Sequence, residues 1–522
     1  MELSRRGVLR TGALGGATLL SGGFLSACAG GAGTDGDVSG TAGPTGAPRR
    51  GGTFVHGISG GSSKDSLSAF VINSASDFGR FCAMYETLWF PSANYTIQKK
   101  LVDDYSVNET ADEWTIRIKA GVEFHNGKKL TADDVLYSFA RLLDPKTAAA
   151  YAGSLSDLDL ANSRKVDELT VRLKLKSGLT NLPEILSTFI PIIPVGYDPA
   201  KPVGTGPFKL KSFEPGRQTT FTRHENYWQH GKPYLDSLTI IDFADESSRV
   251  NALLSGQVTG ADTIEFSLLP QLQGKSGVSL LHQQTNSFVP LQMRTDKAPF
   301  DDPRVRQAFR LLVDRKALNE AAFLGHARIA NDLYSPSDPL FDASLPQREQ
   351  DVAQAKYLLK KAGAENLKVT LTTADLGAGI VSLSQAFAAQ ARRAGVTVTV
   401  DKVDQATFYG PNYGNWLFSP NLTTPANYFY TCQSSDAPTS TTNFTHFKDT
   451  EFDALYRQAV SETDPAKQKD LAHRMQKIQY DRGGYIIAGF YDAFDGHSNR
   501  LGGLKPDVSG LALYRYADLW LA

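Results

Sequence analysis

The chain has 522 residues, enough for two or three separate cores, and a balanced charge of 54 basic against 55 acidic side chains. That balance leaves no large single-sign field, which excludes a nucleic-acid or anionic-surface binder working by bulk electrostatics. Three cysteines are too few for a disulfide scaffold. Beyond the N-terminus, no stretch approaches the roughly eighteen apolar residues of a spanning helix.

The N-terminus reads as an export signal. Ser4-Arg5-Arg6-Gly7-Val8-Leu9-Arg10 precedes a weakly apolar, Gly/Ala-rich stretch from Thr11 to Phe24, and Leu25-Ser26-Ala27-Cys28 follows. A basic start, an apolar middle and small residues before a cleavage point mark residues 1–27 as a removed segment. The arginine pair fits twin-arginine export, with Sec export as the alternative, because Val8 stands where the pattern prefers Phe. Leu-Ser-Ala-Cys resembles the lipobox of bacterial lipoproteins, with Cys28 as the lipidated new N-terminus; an ordinary secretory signal is the alternative. From Ala29 to Pro48 the chain is almost entirely Gly, Ala, Thr, Ser, Pro and Asp, which cannot bury a core. Residues 28–50 therefore read as a tether with a reach on the order of 25 Å. The expected location is the outer face of the cell membrane, held by lipid. With Cys28 so assigned, Cys82 and Cys432 remain, either as buried free thiols or as a bridge.

Downstream, strand-like and helix-like segments alternate, which predicts an α/β fold. Thr53–His56 reads as the first strand and residues 57–63 as a loop. Trp114–Lys119 alternates apolar and polar residues as a half-buried strand does. Asn126-Gly127 predicts a tight turn. Thr131 then caps a helix with acids in its first turn, with Val135, Leu136, Phe139, Leu142 and Leu143 on one face and an end at Asp144-Pro145. Val166–Lys176 reads as another strand, Leu238–Phe243 as a fourth, and Arg249–Leu254 as a short helix. Pro303–Leu324 reads as one long helix opened by Asp302-Pro303. Lys368–Thr373 and Val396–Val400 are strands flanking a helix over 382–394, a βαβ-like unit. Late helices cover Glu451–Val460 and Ala466–Tyr480.

Chemistry motifs are sparse. Gly57-Ile58-Ser59-Gly60-Gly61 matches the G-x-S-x-G nucleophile elbow, so an exported serine hydrolase acting through Ser59 is an alternative. The match sits on the first strand of the fold and leads into more loop, which favours a Gly/Ser loop instead. The nine histidines show no metal-ligand spacing, and no phosphate-cradling sequence is present, so neither cofactor nor metal is expected. From Phe408 to Cys432, eight aromatics sit among Asn, Pro and Thr with scarcely a charge. Such a loop lines a ligand pocket or packs on its own lobe.

Several segments together resemble one family, the peptide/nickel group (family 5) of extracytoplasmic solute-binding proteins of ABC transporters. They are Tyr85-Glu86-Thr87-Leu88; the run from Trp114 to Phe139; Val203-Gly204-Thr205-Gly206-Pro207-Phe208; Asn226-Tyr227-Trp228; Phe300 to Ala308; and Asn443 to Leu455. The resemblance implies a two-lobed periplasmic-binding-protein type II fold with an additional small inserted domain and a ligand cleft between the lobes. Lobe I would comprise residues 51–95, 204–298 and 488–522, the small domain 96–203, and lobe II 299–487, with chain crossings near Thr285–Arg294 and Ile486–Asp492.

The implied function is a non-catalytic, monomeric receptor that delivers an oligopeptide or peptide-like solute to ABC permease subunits, with no nucleic-acid partner. An oligosaccharide or another polar organic solute is the alternative cargo. Tyr151 matches a ligand-facing tyrosine, and Asp77 falls near a cleft acid. The position where family peptide binders carry an Asp for the ligand's ammonium is Asn421 when anchored on Pro425, or Ser419 when anchored on Trp416. Either way the carboxylate is missing, which turns the expectation toward blocked or cyclic peptides, peptide-like products and saccharides. Expected ligand contacts are Tyr151, Trp416, Phe418, Asn421, Tyr428, Asp77, Tyr85 and Gln292.

Overall fold

A computed structural model describes residues 43–44, 46–72, 74–147, 149, 151–423, 426–437, 440 and 442–522. The export segment, Cys28, most of the tether and Pro425 lie outside them.

The largest element is an eight-stranded mixed sheet gathered from distant parts of the chain. The first strand, Thr53–Ser59, runs parallel to Ser237–Phe243, with Phe54 opposite Leu238 and Ile58 opposite Asp242. It is three residues longer than the sequence predicts, because this pairing continues through the glycine-rich end. Gln218–Arg223 and Phe208–Glu214 extend one edge. On the other side lie Gly260–Ala261, Gly489–Ser498 and Val278–Phe288. Phe54, Ile58, Leu238 and Ile240 are fully buried beneath this sheet.

A four-stranded antiparallel sheet over Val102–Val107, Glu113–Ile118, Thr170–Leu175 and Leu158–Lys165 forms the core of a smaller region. Alternation in Glu113–Ile118 buries Trp114, Ile116 and Ile118, and the helix Ala132–Leu143 packs on the neighbouring strands Thr170–Leu175 and Leu158–Lys165. That helix begins as its sequence dictates: the buried Asp134 carboxylate accepts from the Thr131 backbone N–H at 3.0 Å. Asp134 also accepts from Val195 N–H at 2.8 Å, which ties the helix to a distant loop. The expected strand Val166–Lys176 begins only at Thr170. Its first residues instead make the hairpin turn, with Val166 N–H bonded to Thr170 C=O at 2.8 Å.

The remaining third of the chain packs around Leu291–Met293, the centre of a three-stranded sheet with Phe418–Pro420 and Tyr485–Ile486 on its two sides. Lys368–Thr373 and Thr397–Lys402 pair in parallel around the helix Ile380–Ala391, so the βαβ unit forms. The expected single helix over 303–324 is two, Pro303–Leu311 and Arg315–Phe323. Asp314 starts the second by accepting from Ala317 N–H at 3.0 Å, and Gln390 holds both the Asp314 N–H and C=O at the break.

Two adjacent chain crossings join the sheets. Phe288 lies opposite Phe490 in the large sheet, and Leu291 lies opposite Ile486 in the small one. The chain therefore passes between the two layers side by side, at 289–290 and 487–488. Together the sheets and crossings make a two-lobed α/β fold with a small additional domain.

Candidate functional site

A cavity of about 250 Å³ lies beside these crossings. Leu291–Met293 places Gln292 in its wall, between Ser419 and Tyr485 on the neighbouring strands. Just beyond Phe418–Pro420, Asn421 enters the same wall. Asn421 Nδ2 donates to the Tyr413 hydroxyl at 3.3 Å, and its Oδ1 accepts from Leu422 N–H at 2.9 Å. Gln292 is only 7% exposed, and its side-chain amide makes no hydrogen bond among the described residues. Hydroxyl groups come from Thr423, Ser434, Ser435 and Thr442, and rings from Phe288, Tyr334, Tyr413, Phe444 and Tyr485. None of these lining side chains carries a charge.

Behind the wall lies a buried polar network. The Tyr334 hydroxyl donates to Asp436 at 2.8 Å, Gln479 Nε2 donates to the same carboxylate at 2.6 Å, and the Tyr428 hydroxyl donates to Gln479 Oε1 at 2.8 Å. Burial pushes the Asp436 carboxyl up to about 6, against the pull of the Tyr334 and Gln479 hydrogen bonds. Burial also raises the Tyr334, Tyr413 and Tyr485 phenols above their ordinary value, so they stay neutral.

Of the eight expected contacts, the cavity brings together Gln292 and Asn421. The others lie elsewhere. Phe418 is 0% exposed and wedged among Phe300, Phe309 and Phe387, with ring centroids 5.3, 5.8 and 5.5 Å away. Trp416 stacks on Phe408 and donates to its carbonyl at 3.1 Å, so it packs within its own loop. Tyr428 is buried against Tyr334. Tyr85 is buried, its hydroxyl shared with Tyr197 at 2.8 Å and donating to the Leu67 carbonyl. Asp77 is buried in an ion pair with Arg80 at 2.7 Å. Tyr151 is half-buried against Phe189, with centroids 4.5 Å apart, near helix Tyr428–Ser435; Gln433 of that helix reaches the Ser154 carbonyl at 3.5 Å. The aromatic loop thus divides: Phe418, Trp416 and Tyr428 pack, while Tyr413 lines the cavity. Sequence reasoning did not single out the hydroxyls of 434–442 or Phe444. Their signal is that Asp436 is the single Asp, Glu, Lys or Arg between Phe408 and Phe447.

Neither cysteine forms a bridge. Burial pushes the Cys82 thiol up to about 12, and the buried Cys432 thiol higher still. Among the described residues, no cluster of His, Cys, Asp or Glu has metal-site geometry, and no helix is long and apolar enough to cross a membrane. Ser59 ends its strand exposed, and the chain runs on through a loop to the helix Ala75–Met84.

Four of the six motif segments meet around Glu86 in and beside the large sheet. The buried Glu86 carboxylate accepts from Thr205 Oγ1 at 3.0 Å, the Tyr227 hydroxyl at 2.7 Å and Trp228 Nε1 at 2.8 Å, and pairs with Lys100 at 3.3 Å. Gly206 N–H bonds the Met84 carbonyl at 2.9 Å. Asn226 Nδ2 donates to Glu123 at 3.0 Å, which links these segments to the Trp114–Phe139 run.

This two-lobed fold, with a cavity beside paired chain crossings, is that of periplasmic binding proteins. Residues 96–440 match the family model for the middle region of bacterial extracellular solute-binding proteins, family 5. The chain belongs to that family, the solute-binding proteins of ABC transporters. It is 27% identical over 469 residues to heme-binding protein A of Haemophilus influenzae, covering 81% of this chain and 82% of that one. It is 24% identical over 462 residues to the glutathione-binding protein GsiB of Escherichia coli, covering 82% and 87%. The structure of DppA from Helicobacter pylori in complex with the peptide STSA superposes with a TM-score of 0.77 at 20% identity, covering 91% of this chain and 98% of that one.

Proposed function

We propose that this protein is a membrane-tethered solute receptor that encloses its cargo between two lobes and hands it to the permease of an ABC importer. The observation that carries this reading is the cavity at the crossings, where the unpartnered amide of Gln292 meets Asn421. A site beside paired crossings suits hinge closure, in which few backbone torsions move one lobe over the other. Closure is favoured only by the difference in ligand affinity between shut and open forms. Lobe I would comprise residues 51–95, 204–298 and 488–522, lobe II 299–487, and the small domain 96–203. An oligopeptide or peptide-like solute is the leading cargo, in line with relatives named for glutathione and co-crystallised with a peptide. A saccharide or another polar organic solute is the second reading, favoured by the uncharged cavity lining.

The receptor acts without catalysis. An elbow serine needs a strand–turn–helix setting, and Ser59 is followed by loop. Native mass spectrometry of the full chain purified from its host tests the reading: a retained solute, released on unfolding, is expected. Turnover of an ester or peptide substrate that Ser59→Ala abolishes would overturn it. Tethering is tested separately, because Cys28→Ser should move the protein from the membrane fraction into the medium.

A further inference from the structure

We infer that the cavity at Gln292 and Asn421 takes an uncharged, ring-sized group bearing hydroxyls or amides and excludes free ammonium and carboxylate ends. This rests on the receptor reading above and names the chemistry of its cargo. Size is the first argument. About 250 Å³ falls below the roughly 300–1,000 Å³ of pockets that enclose a drug-sized ligand, so the cavity holds one ring or one capped chain end.

The lining supplies the second. Gln292, nine-tenths buried and facing the cavity, has a free donor pair and a free acceptor among the described residues. Asn421 keeps one N–H beyond its bond to Tyr413; the hydroxyls of Thr423 and Ser435 can give or receive, and those of Ser434 and Thr442, which donate to the Thr431 and Ser434 carbonyls, can receive. Half-buried Tyr413 and Phe444, with centroids 4.8 Å apart, add apolar faces. An amide or hydroxyl group satisfies such a lining, whereas an apolar group would leave the buried Gln292 amide unpaired.

Charge is the third. An ion entering here loses hydration and meets no counter-ion, which is far more costly than burying a neutral polar group. The carboxyl behind the wall, Asp436, is 1% exposed and already occupied by Tyr334 and Gln479. Arg294, two residues beyond Gln292, is turned to Asp296 at 2.7 Å and to Asn415.

Two sources supply this chemistry, a sugar ring or the blocked end of a peptide. Calorimetric titration of the full chain with cellobiose, N-acetyl-trialanine amide and free trialanine separates them. Either cellobiose or the blocked peptide should bind, and the blocked peptide should bind at least about tenfold more tightly than the free one whenever peptides bind at all. Gln292→Met should weaken the bound neutral probe by about tenfold or more with the melting temperature unchanged. Should that variant melt lower, the near-isosteric Gln292→Glu must show the same loss. Free trialanine binding as tightly as its blocked form, or no neutral probe binding at millimolar concentration, overturns the inference. A solute retained in native mass spectrometry would then leave the receptor reading standing while the neutral-group inference falls.

Discussion

Phe418→Ala separates packing from ligand contact in the aromatic loop. The ring is fully buried on the strand Phe418–Pro420, against three other phenylalanines that converge on it from the helix Pro303–Leu311, the helix Ile380–Ala391 and the Phe300 turn. Truncation removes the transfer free energy of the ring and leaves a cavity that these rings, anchored on separate elements, cannot collapse into. Phe→Ala substitutions in cores cost about 3–5 kcal/mol, and this setting belongs in the upper half. Urea unfolding followed by circular dichroism should show a lower midpoint with little change in slope, since the surface exposed on unfolding barely alters. Trp416→Ala, which removes a half-buried ring and one hydrogen bond, should shift the midpoint less. An unchanged midpoint for Phe418→Ala, together with lost solute binding, would refute the reasoning and put the ring in the site.

Three further outcomes follow from burial. Asp436 has a folded value of about 6 against an ordinary 3.8, so its contribution to stability is fully present below pH 4 and is lost as pH rises to 6, about 3 kcal/mol in all. Asp436→Asn should flatten that part of the stability–pH profile relative to wild type, and parallel profiles would count against the assignment. Gly204→Ala should lower the melting temperature sharply, because a Cβ there would lie 2.0 Å from the Met84 carbonyl oxygen, whereas Gly153→Ala, with open space around it, should not. In the native state the fully buried Cys432 should not react with a thiol reagent at pH 8, since burial holds it as a thiol, and it should react in denaturant. A rapid native reaction of Cys432 would mean that its network opens.

Local signals were legible where the cause is local. The helix Ala132–Leu143 starts at Thr131 and stops before Pro145 because cap, acids and proline act within a few residues. The break at Asp314 was hidden because the apolar face continues through Leu312 and Val313, while the interruption is fixed by Gln390, distant in sequence. The cavity was only half legible for the same reason. Gln292, Asn421, Ser434 and Tyr485 come from four separate segments, and no spacing rule joins them.

What identifies the family and what lines the cavity are different residues, and the packing explains why. Glu86, Thr205, Tyr227 and Trp228 spend their polar groups on one another, and Gly204 and Gly206 give the backbone of Met84 room to approach. Arg306 and Arg310 likewise spend their guanidinium groups on the carbonyls of Arg482, Gly483 and Tyr485, fixing the chain just before it crosses between sheets. A substitution in either cluster would strand a buried polar group, so these motifs hold the lobes and crossings in place whatever the solute. The cavity lining is under no such constraint. The Gln292 amide is free among the described residues and Asn421 keeps one N–H free, so exchanging either for a charge should alter which solute binds while leaving the frame intact. On the reading proposed above, solute chemistry is set by Gln292 and by the lining residues of the 413–444 stretch, all of which are uncharged.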